Sequence, residues 1–201
     1  KTQSALFELM EERQTTIDGE CHKMSDVYSI VATQNPIEQE GTYRLPEAQL
    51  DRFLFKIMVS YPSVDEEVKI IQAHNSNMKY TKLENVEPIL TKEELLSLRE
   101  LAHSIFIDEK LMKYIALLIQ ETRTNKSIYI GASPRASIAY LHAVKAYALI
   151  QGRTFVIPDD IKILTYPILC HRIILTAEAE MEGMSIESVI EDIISKVEAP
   201  K

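Results

Sequence analysis

Glycine is scarce in this sequence, with five residues among 201, at positions 19, 41, 131, 152 and 183. A phosphate-binding loop of the form G-x-x-x-x-G-K-[ST] and a dinucleotide fingerprint of the form G-x-G-x-x-G both require closely spaced glycines. No two of the five glycines have the spacing that either pattern needs. The sequence therefore excludes both glycine-rich loops within this chain, and any phosphate chemistry must rest on other groups.

Cysteine is rarer still, because Cys21 and Cys170 are the two in the chain. Two distant cysteines exclude a disulfide framework and indicate a reducing, cytoplasmic setting. Each cysteine precedes a histidine, His22 and His171, which makes a Cys2His2 zinc site conceivable. Adjacent residues point in different directions on a helix or a strand, so neither pair chelates one ion easily. We favour ordinary packed cysteines and surface histidines, and we predict no metal site from these residues.

Basic residues are fewer than acidic ones, 22 against 30, which gives a formal net charge of −8. This balance argues against a nucleic-acid-binding protein, because such a protein normally presents a basic face. No apolar run approaches the roughly 18 residues that span a bilayer, so we predict no membrane insertion. The chain begins at Lys1 without an initiating Met or a signal-peptide pattern, and we expect it to be part of a longer protein.

The first 62 residues carry the patterns of an α/β layer. Apolar runs rich in β-branched residues favour buried strands, and the pair Asp18-Gly19 favours a tight hairpin turn. The patterns predict a helix over 4–13, a hairpin over 15–23, strands over 27–32 and 53–59, and a short helix over 46–52. These strands are too few to close a sheet by themselves. We therefore interpret residues 1–62 as a piece of a larger α/β core.

After residue 62 the apolar residues repeat with helical periodicity to the end of the chain. Residues 63–66 and 91–94 form capping boxes, each of which predicts the start of an amphipathic helix. Further helices are predicted from the apolar stripe Leu111, Met112, Ile115, Leu118, Ile119 and Thr122, from Ser133-Pro134 to Gly152, after Pro158, and from the stripe over 186–197. The sequence thus predicts a mainly helical protein, with an all-α domain at 63–201.

Asp108 and Glu109 follow an apolar run, as the metal-binding carboxylates at the end of a strand would. A helical stripe begins just after them, at Leu111. We therefore interpret Asp108 as the N-cap of that helix, with Glu109 near its positive end, and we do not predict metal ligands there.

Three polar side chains lie where a phosphate could bind. Asn35 follows the first predicted strand, and ligands of open α/β sheets bind at this end of the strands. The alternative is a turn residue, because Asn before a proline such as Pro36 is common in turns. Arg52 ends the short helix, where it would either project as a phosphate-contacting finger or form a surface ion pair of little energetic value. Arg135 lies on the first turn of the helix that starts at Ser133, and a helix N-terminus attracts anions.

The charge distribution favours the third of these positions. Residues 110–153 contain seven basic residues and a single acid, while residues 177–201 contain seven acids and two lysines. An acidic protein that concentrates positive charge near one helix start is suited to bind an anion there. The alternative is a solvated basic face that the acidic tail balances.

Several of these segments together form a long signature. They are Ala32-Thr33-Gln34-Asn35-Pro36, Glu38-Gln39-Glu40-Gly41-Thr42-Tyr43, Leu45-Pro46-Glu47-Ala48-Gln49-Leu50-Asp51-Arg52-Phe53, Gly131-Ala132-Ser133-Pro134-Arg135-Ala136 and Pro158-Asp159-Asp160-Ile161. The signature resembles the MoxR family of AAA+ ATPases, with the last two segments in the family's lid domain. The resemblance runs from Lys1 past Arg172, and the last twenty-five residues match loosely.

The resemblance implies a P-loop NTPase-type fold, with residues 1–62 as the C-terminal part of an AAA+ core and residues 63–201 as the helical lid. It implies ATP hydrolysis with Mg²⁺ in a homo-oligomeric ring, a hexamer, in which each nucleotide lies between two subunits. Asn35 would be the sensor-1 residue that positions the attacking water, Arg52 the arginine finger that reaches the neighbouring site, and Arg135 the sensor-2 residue that contacts phosphates of its own subunit. The hairpin around Asp18-Gly19 would be the pre-sensor-1 insertion that contacts a client.

The same resemblance implies a chaperone-like motor for client proteins, among them proteins with von Willebrand factor A domains. Family members carry the phosphate loop and the Mg²⁺-binding Asp-Glu pair upstream of a helix resembling residues 1–12. We therefore expect this chain to be the C-terminal half of such an ATPase, inactive by itself and unable to hold Mg-ATP tightly. An alternative of another class is a non-catalytic helical protein-interaction module with an ATPase-like surface. A third, a nucleic-acid-binding helical domain, is disfavoured by the net charge of −8.

Overall fold

The computed structural model describes residues 8–10, 12–17, 19–34, 46–75 and 86–200. Along these residues the strands and helices follow in the order β1 Gln14–Ile17, β2 Glu20–Lys23, α1 Glu47–Leu50, α2 Val64–Asn75, α3 Lys92–Ser104, α4 Glu109–Thr124, β3 Ile128–Ile130, α5 Pro134–Ile150, α6 Pro158–Leu169, β4 Ile174–Leu175, α7 Ala177–Met181 and α8 Ile186–Lys196.

The predicted hairpin is present. Strands β1 and β2 pair antiparallel, with Thr15 opposite His22 and Ile17 opposite Glu20. Gly19 in the turn has a φ of 87°, a left-handed conformation that favours glycine. Asp18, the other turn residue of the prediction, lies outside the described residues. Of the helix predicted over 4–13, residues 8–10 and 12 are helical, and residues 4–7 and 11 lie outside the described residues.

The two predicted core strands are wrong for this structure. Residues 27–32 and 53–59 form no strand, and Val31 and Val59 are 91% and 90% exposed. A strand needs a hydrogen-bonded neighbour, and no other strand pairs with either segment among the described residues. An apolar, β-branched run therefore predicts an extended backbone here but not a sheet.

The helical domain has the predicted helices and one apolar core. Helices α4, α5, α6 and α8 pack around it, joined by the small antiparallel pair of β3 and β4. Its largest fully buried side chains are Tyr114, Tyr140, Leu118, Ile119, Ile161, Ile168, Leu169, Ile190, Ile193, Val144, Val189 and Thr122. The stripe predicted on α4 is confirmed except at Met112, which is 45% exposed. Met112 lies one residue, or about 100°, past the buried Leu111, and this rotation turns it towards solvent.

The helix boundaries follow the predicted capping residues. Thr91 accepts a hydrogen bond from the backbone N–H of Glu94, whose carboxylate accepts one in return from Thr91. The carboxylate of Asp108 accepts a hydrogen bond from the N–H of Lys110 at 2.7 Å, which confirms Asp108 as the N-cap of α4. Gly152, with a φ of 71°, follows the end of α5. The local signals therefore place most of the helices of the second domain.

Candidate functional site

Two of the three predicted phosphate-contacting residues line one cleft. Arg52 and Arg135 lie in the wall of a depression of about 230 Å³, whose lining is Met10, Asp51, Arg52, Leu54, Arg135, Ala139 and Arg172. The third predicted residue, Asn35, lies outside the described residues. The structure thus brings together two arginines that are far apart in sequence, and it adds a third, Arg172.

A larger cavity of about 400 Å³ lies elsewhere, lined by Lys110, Glu198, Ala199 and Pro200. Its lining holds one basic and one acidic side chain, so it has no excess charge with which to select an anion. The smaller cleft, with three arginines and a single carboxylate in its lining, has such an excess. The smaller cleft is therefore the candidate site.

Arg135 owes its position to the loop that precedes α5. The Ser133 hydroxyl accepts a hydrogen bond from the N–H of Arg135 at 3.1 Å, and Pro134 occupies the first turn of the helix. Helix α4 holds the same loop, because the Thr122 hydroxyl accepts from the N–H of Ala132 at 3.0 Å. Arg135 therefore projects from the first turn of a 17-residue helix, where the helix dipole favours negative charge.

Arg52 lies in the turn that ends helix α1. Its backbone N–H donates to the carbonyl of Gln49 at 3.3 Å, and the N–H of Phe53 donates to Leu50 at 3.1 Å. The Arg52 side chain is half-buried in the cleft wall. The predicted location of Arg52 at the close of a short helix is confirmed, but the strand predicted to begin at Phe53 does not form.

The Asp51 carboxylate connects both sides of the cleft. One oxygen, Oδ2, accepts from the Ser133 hydroxyl at 2.8 Å, and the other, Oδ1, accepts from Nε of Arg172 at 3.0 Å. The guanidinium of Arg135 lies 3.8 Å from Oδ2, and its side chain is 52% exposed against 15% for Asp51. A contact of this length between partly exposed groups contributes about 1 kcal/mol or less. An incoming phosphate can therefore compete with Asp51 for Arg135.

Arg172 is the part of this site that the sequence did not identify. Its side chain is 2% exposed, and its guanidinium donates to the carbonyls of Asp51 and Phe53 at 3.1 and 2.6 Å and to that of Leu54 at 3.2 Å. It also donates to the carbonyl of Ile168 on α6, the helix that ends three residues before Arg172. Burial lowers the pKa of Arg172, and the negative charge of Asp51 opposes this effect. A usable signal was present, because a charged residue inside an apolar run must find buried partners.

His171 reinforces the same attachment. Its ring nitrogen Nε2 lies 3.0 Å from the carbonyl of Phe53. Burial lowers the pKa of His171 to about 4, so the ring is neutral at pH 7. Next to them, the N–H of Lys56 donates to the carbonyl of Pro167 at 2.9 Å. Asp51, Phe53, Leu54 and Lys56 are therefore all hydrogen-bonded to the C-terminal end of α6 or to the turn that follows it.

The described residues offer an anion site but no grouped metal ligands. No three His, Cys, Asp or Glu side chains among them are placed to hold a metal ion. In the cleft, the one carboxylate is already bonded to Arg172 and Ser133. Within that same part of the chain, no helix is both long and apolar enough to cross a bilayer. The three arginines of the cleft can neutralise and orient an anion such as a phosphate, whereas the described lining offers no set of metal ligands.

Comparison with known proteins gives matches over both parts of the chain. Residues 1–55 match the sequence model of the "ATPase family associated with various cellular activities (AAA)", and residues 120–193 match that of the "AAA lid domain". The whole chain is 44% identical to an uncharacterized protein of Bacillus subtilis, YeaC, and covers 62% of it. It is 40% identical to the chaperone MoxR1 of Mycobacterium tuberculosis, again over the whole chain, and covers 54% of that protein.

A solved structure gives the same result. The crystal structure of a presumed ATPase from Cytophaga hutchinsonii superposes with a TM-score of 0.88 at 41% identity. The match covers 99% of this chain and 62% of that one. The chain therefore spans between half and two thirds of the length of these relatives.

Proposed function

The chain belongs to the MoxR family of AAA+ ATPases, and from this premise we propose that it supplies the phosphate-sensing and trans-activating half of an ATP-hydrolysing ring. The comparisons support the expected fold class, a segment of an AAA+ core followed by a mainly helical lid, which here also contains the β3–β4 pair. The boundary between the two, at residues 62 and 63, remains a prediction.

The single observation that carries the proposal is the shared cleft of Arg52 and Arg135. Phosphoryl transfer requires little covalent chemistry from the protein, and its catalysis depends on positioning and on neutralising charge on the phosphate oxygens. Two guanidinium groups beside the N-terminus of a long helix supply that charge in a form suited to bidentate contacts. A cleft of this kind is suited to a polyphosphate.

In this proposal Arg52 is the arginine finger, which acts on the nucleotide of the neighbouring subunit. Arg135 contacts the phosphates as sensor 2, and Asn35 positions the attacking water as sensor 1. The Asp51 carboxylate is already bonded to Ser133 and Arg172, so in this proposal it is not a Mg²⁺ ligand. The proposal assigns the Mg²⁺ ligands and the phosphate loop to an upstream part of the full-length ATPase, as the family resemblance implies. Mg²⁺ there would neutralise phosphate charge, while the residues of this chain would bind and orient the phosphates of the nucleotide.

The shared cleft also favours a variant of these roles. An anion that enters the cleft lies within reach of both Arg52 and Arg135, since both line it. The two arginines would then act on one polyphosphate of the neighbour, instead of one on each side of the interface. An Arg135→Ala subunit mixed with a subunit lacking the upstream metal carboxylate distinguishes the two assignments, because restored turnover requires Arg135 to act across the interface.

Exposed apolar side chains support a larger assembly. Ile57 and Val59, in the segment after the cleft, are 76% and 90% exposed. Apolar groups in such a segment are typically covered by another part of the protein or by a partner. We extend the proposal to a cytoplasmic hexameric ring that acts as a chaperone-like motor on client proteins, including those with von Willebrand factor A domains. The rival remains a non-catalytic interaction module.

The test is Arg52→Ala in the full-length ATPase of which this chain is proposed to be part. We expect turnover to fall by about 10³-fold or more, since trans-acting arginines contribute on that order, with ATP affinity within about threefold of the parent. Arg99→Ala, on α3 and outside the cleft lining, is the control and is expected to keep full turnover. Turnover that survives Arg52→Ala excludes the finger role. Arg135→Ala should weaken nucleotide binding. Unchanged binding would contradict the sensor-2 role and leave Arg135 with a structural role.

A further inference from the structure

The five N–H donors of Arg172 are all used. Nε donates to Oδ1 of Asp51, Nη2 to the carbonyls of Asp51 and Phe53, and Nη1 to the carbonyl of Leu54. The remaining Nη1 donor bonds the carbonyl of Ile168 on α6. A guanidinium has five donors in a fixed planar arrangement, so these contacts saturate it. No other cationic side chain reproduces this set, because a lysine ammonium has three donors and no plane.

These contacts bracket Arg52. Arg172 holds the carbonyl of the residue before Arg52 and the carbonyls of the two residues after it. The backbone on both sides of the proposed finger is thereby tied to the end of α6, in the helical domain. Asp51 and Arg172 are 121 positions apart in the sequence, so these hydrogen bonds are a tertiary attachment between distant parts of the chain.

Precise placement matters for a residue that stabilises a transition state. A displacement of about 1 Å in a catalytic group can cost on the order of a hundredfold in rate. Catalytic side chains therefore need supporting residues whose own positions are fixed by packing and hydrogen bonds. Arg172, buried and fully bonded, meets this requirement for the Arg52 backbone.

We propose that Arg172 is a positioning residue for Arg52, which fixes the proposed finger to the helical domain so that this domain determines where the Arg52 side chain stands. The inference rests on the proposed function for its catalytic consequence. Its structural part, the attachment of residues 51–56 to α6, is measurable without any ATPase activity.

The chain offers a matched control for this proposal. Arg153 also pairs with a buried aspartate of the helical domain, since its Nη1 donates to Oδ2 of Asp160 at 2.8 Å. Its side chain is 23% exposed and that of Asp160 is 2% exposed. The side-chain hydrogen bonds of Arg153 go to Asp160 and to the carbonyl of Phe155, and none of these reaches residues 51–56. Arg153→Met therefore removes a comparable ion pair and leaves the hydrogen bonds between Arg172 and residues 51–54 in place.

The experiment compares Arg172→Lys, Arg172→Met and Arg153→Met in the full-length ATPase, with kcat and KM for ATP and the unfolding temperature measured for each. We expect Arg172→Lys, which keeps the charge beside Asp51, to lower kcat by about 10- to 100-fold with KM within about threefold. Arg153→Met is expected to keep kcat within about threefold of the parent value, although its unfolding temperature should fall by as much as that of Arg172→Lys or more. Wild-type kcat in Arg172→Lys, or an equal loss in Arg153→Met, overturns the proposal.

A double variant separates positioning from general damage. If Arg172 acts through Arg52, then Arg52→Ala combined with Arg172→Lys has the same turnover as Arg52→Ala alone. Losses that multiply overturn the inference, because they show that Arg172 acts independently of the finger.

Hydrogen exchange keeps the inference testable if the proposed function fails, that is, if Arg52→Ala retains full turnover. The reporter is the amide of Lys56, bonded to the Pro167 carbonyl at 2.9 Å. We expect it to exchange at least about tenfold faster in Arg172→Lys and at an unchanged rate in Arg153→Met. An unchanged rate in Arg172→Lys overturns the attachment itself.

Discussion

At the scale of single residues, His171 gives the attachment around residues 51–56 a dependence on pH. Burial lowers its pKa to about 4, and the nearby Arg172 and Lys56 charges act in the same direction. The unfolded chain takes up a proton at an ordinary histidine pKa of about 6.5, whereas the folded chain does not until lower pH. The free energy of unfolding therefore falls as the pH drops from about 6.5 to about 4.

We predict that His171→Gln removes this part of the pH dependence, because a glutamine amide can still donate to Phe53 but does not titrate. The stability lost by the parent between pH 6.5 and 4 should exceed that of the variant by about 1–2 kcal/mol, a reduced value because the ring is partly exposed to solvent. Urea unfolding at a series of pH values measures the difference. His22→Gln, at an exposed position on β2, is the control, and a parental pH profile in His171→Gln contradicts the prediction.

The residues of the cleft differ in how far the sequence identified them. Arg135 follows Ser133 and Pro134 directly, so a local signal located it at a helix start. Arg52 was located in the same way by the short helix that it closes. Arg172 makes its defining contact with a residue 121 positions away, and no local pattern encodes such a partner. Local sequence signals therefore predicted the positions of Arg52 and Arg135, but not the tertiary contacts of Arg172.

At the scale of elements, the loop between β3 and α5 is fixed by its closeness to α4. A Cβ added to Gly131 would lie 2.6 Å from the carbonyl oxygen of Thr122 and 2.8 Å from the Cα of Arg123. Both are backbone atoms, so a side chain can be accommodated only if the loop moves away from α4. Movement would also strain the hydrogen bond from Arg123 Nε to the Ala132 carbonyl, now 2.9 Å long.

We predict that Gly131→Ala lowers the free energy of unfolding by about 2–3 kcal/mol, because the loop and α4 cannot both keep their positions. Gly152→Ala is the matched control, since a Cβ there meets nothing within 4 Å and the cost comes from a φ of 71° alone. That strain is expected to cost about 1 kcal/mol. Urea denaturation of the purified chain provides both values. A Gly131→Ala variant at least as stable as Gly152→Ala would show that the loop is free to shift.

The elements themselves were predictable to different degrees. The helices after residue 90 were found because their caps and apolar stripes are local, as with Thr91 and with the stripe that includes Val189 and Ile193. The strands expected over 27–32 and 53–59 were not found, because a strand is defined by its neighbour. An extended segment without a paired neighbour remains single whatever its composition.

At the scale of the whole molecule, the described contacts cross the boundary expected at residues 62 and 63. Residues 51–56 belong by sequence to the α/β part, yet their hydrogen bonds run to Pro167, His171 and Arg172. The change from mixed to helical periodicity predicts a boundary there. It could not show that the segment before the boundary is attached to the helical domain, because periodicity carries no information on tertiary contacts.

The most direct test of the central claim, that this cleft acts on a nucleotide held by a neighbouring subunit, is a mixing experiment with the full-length ATPase. One set of subunits carries Arg52→Ala, and the other lacks the upstream carboxylate that binds Mg²⁺. Each set alone is expected to be inactive. Random mixing in equal amounts should restore about a quarter of the parental turnover, because that share of interfaces joins an intact Arg52 to an intact nucleotide site. Turnover in the mixture no higher than the average of the two separate preparations would contradict the claim.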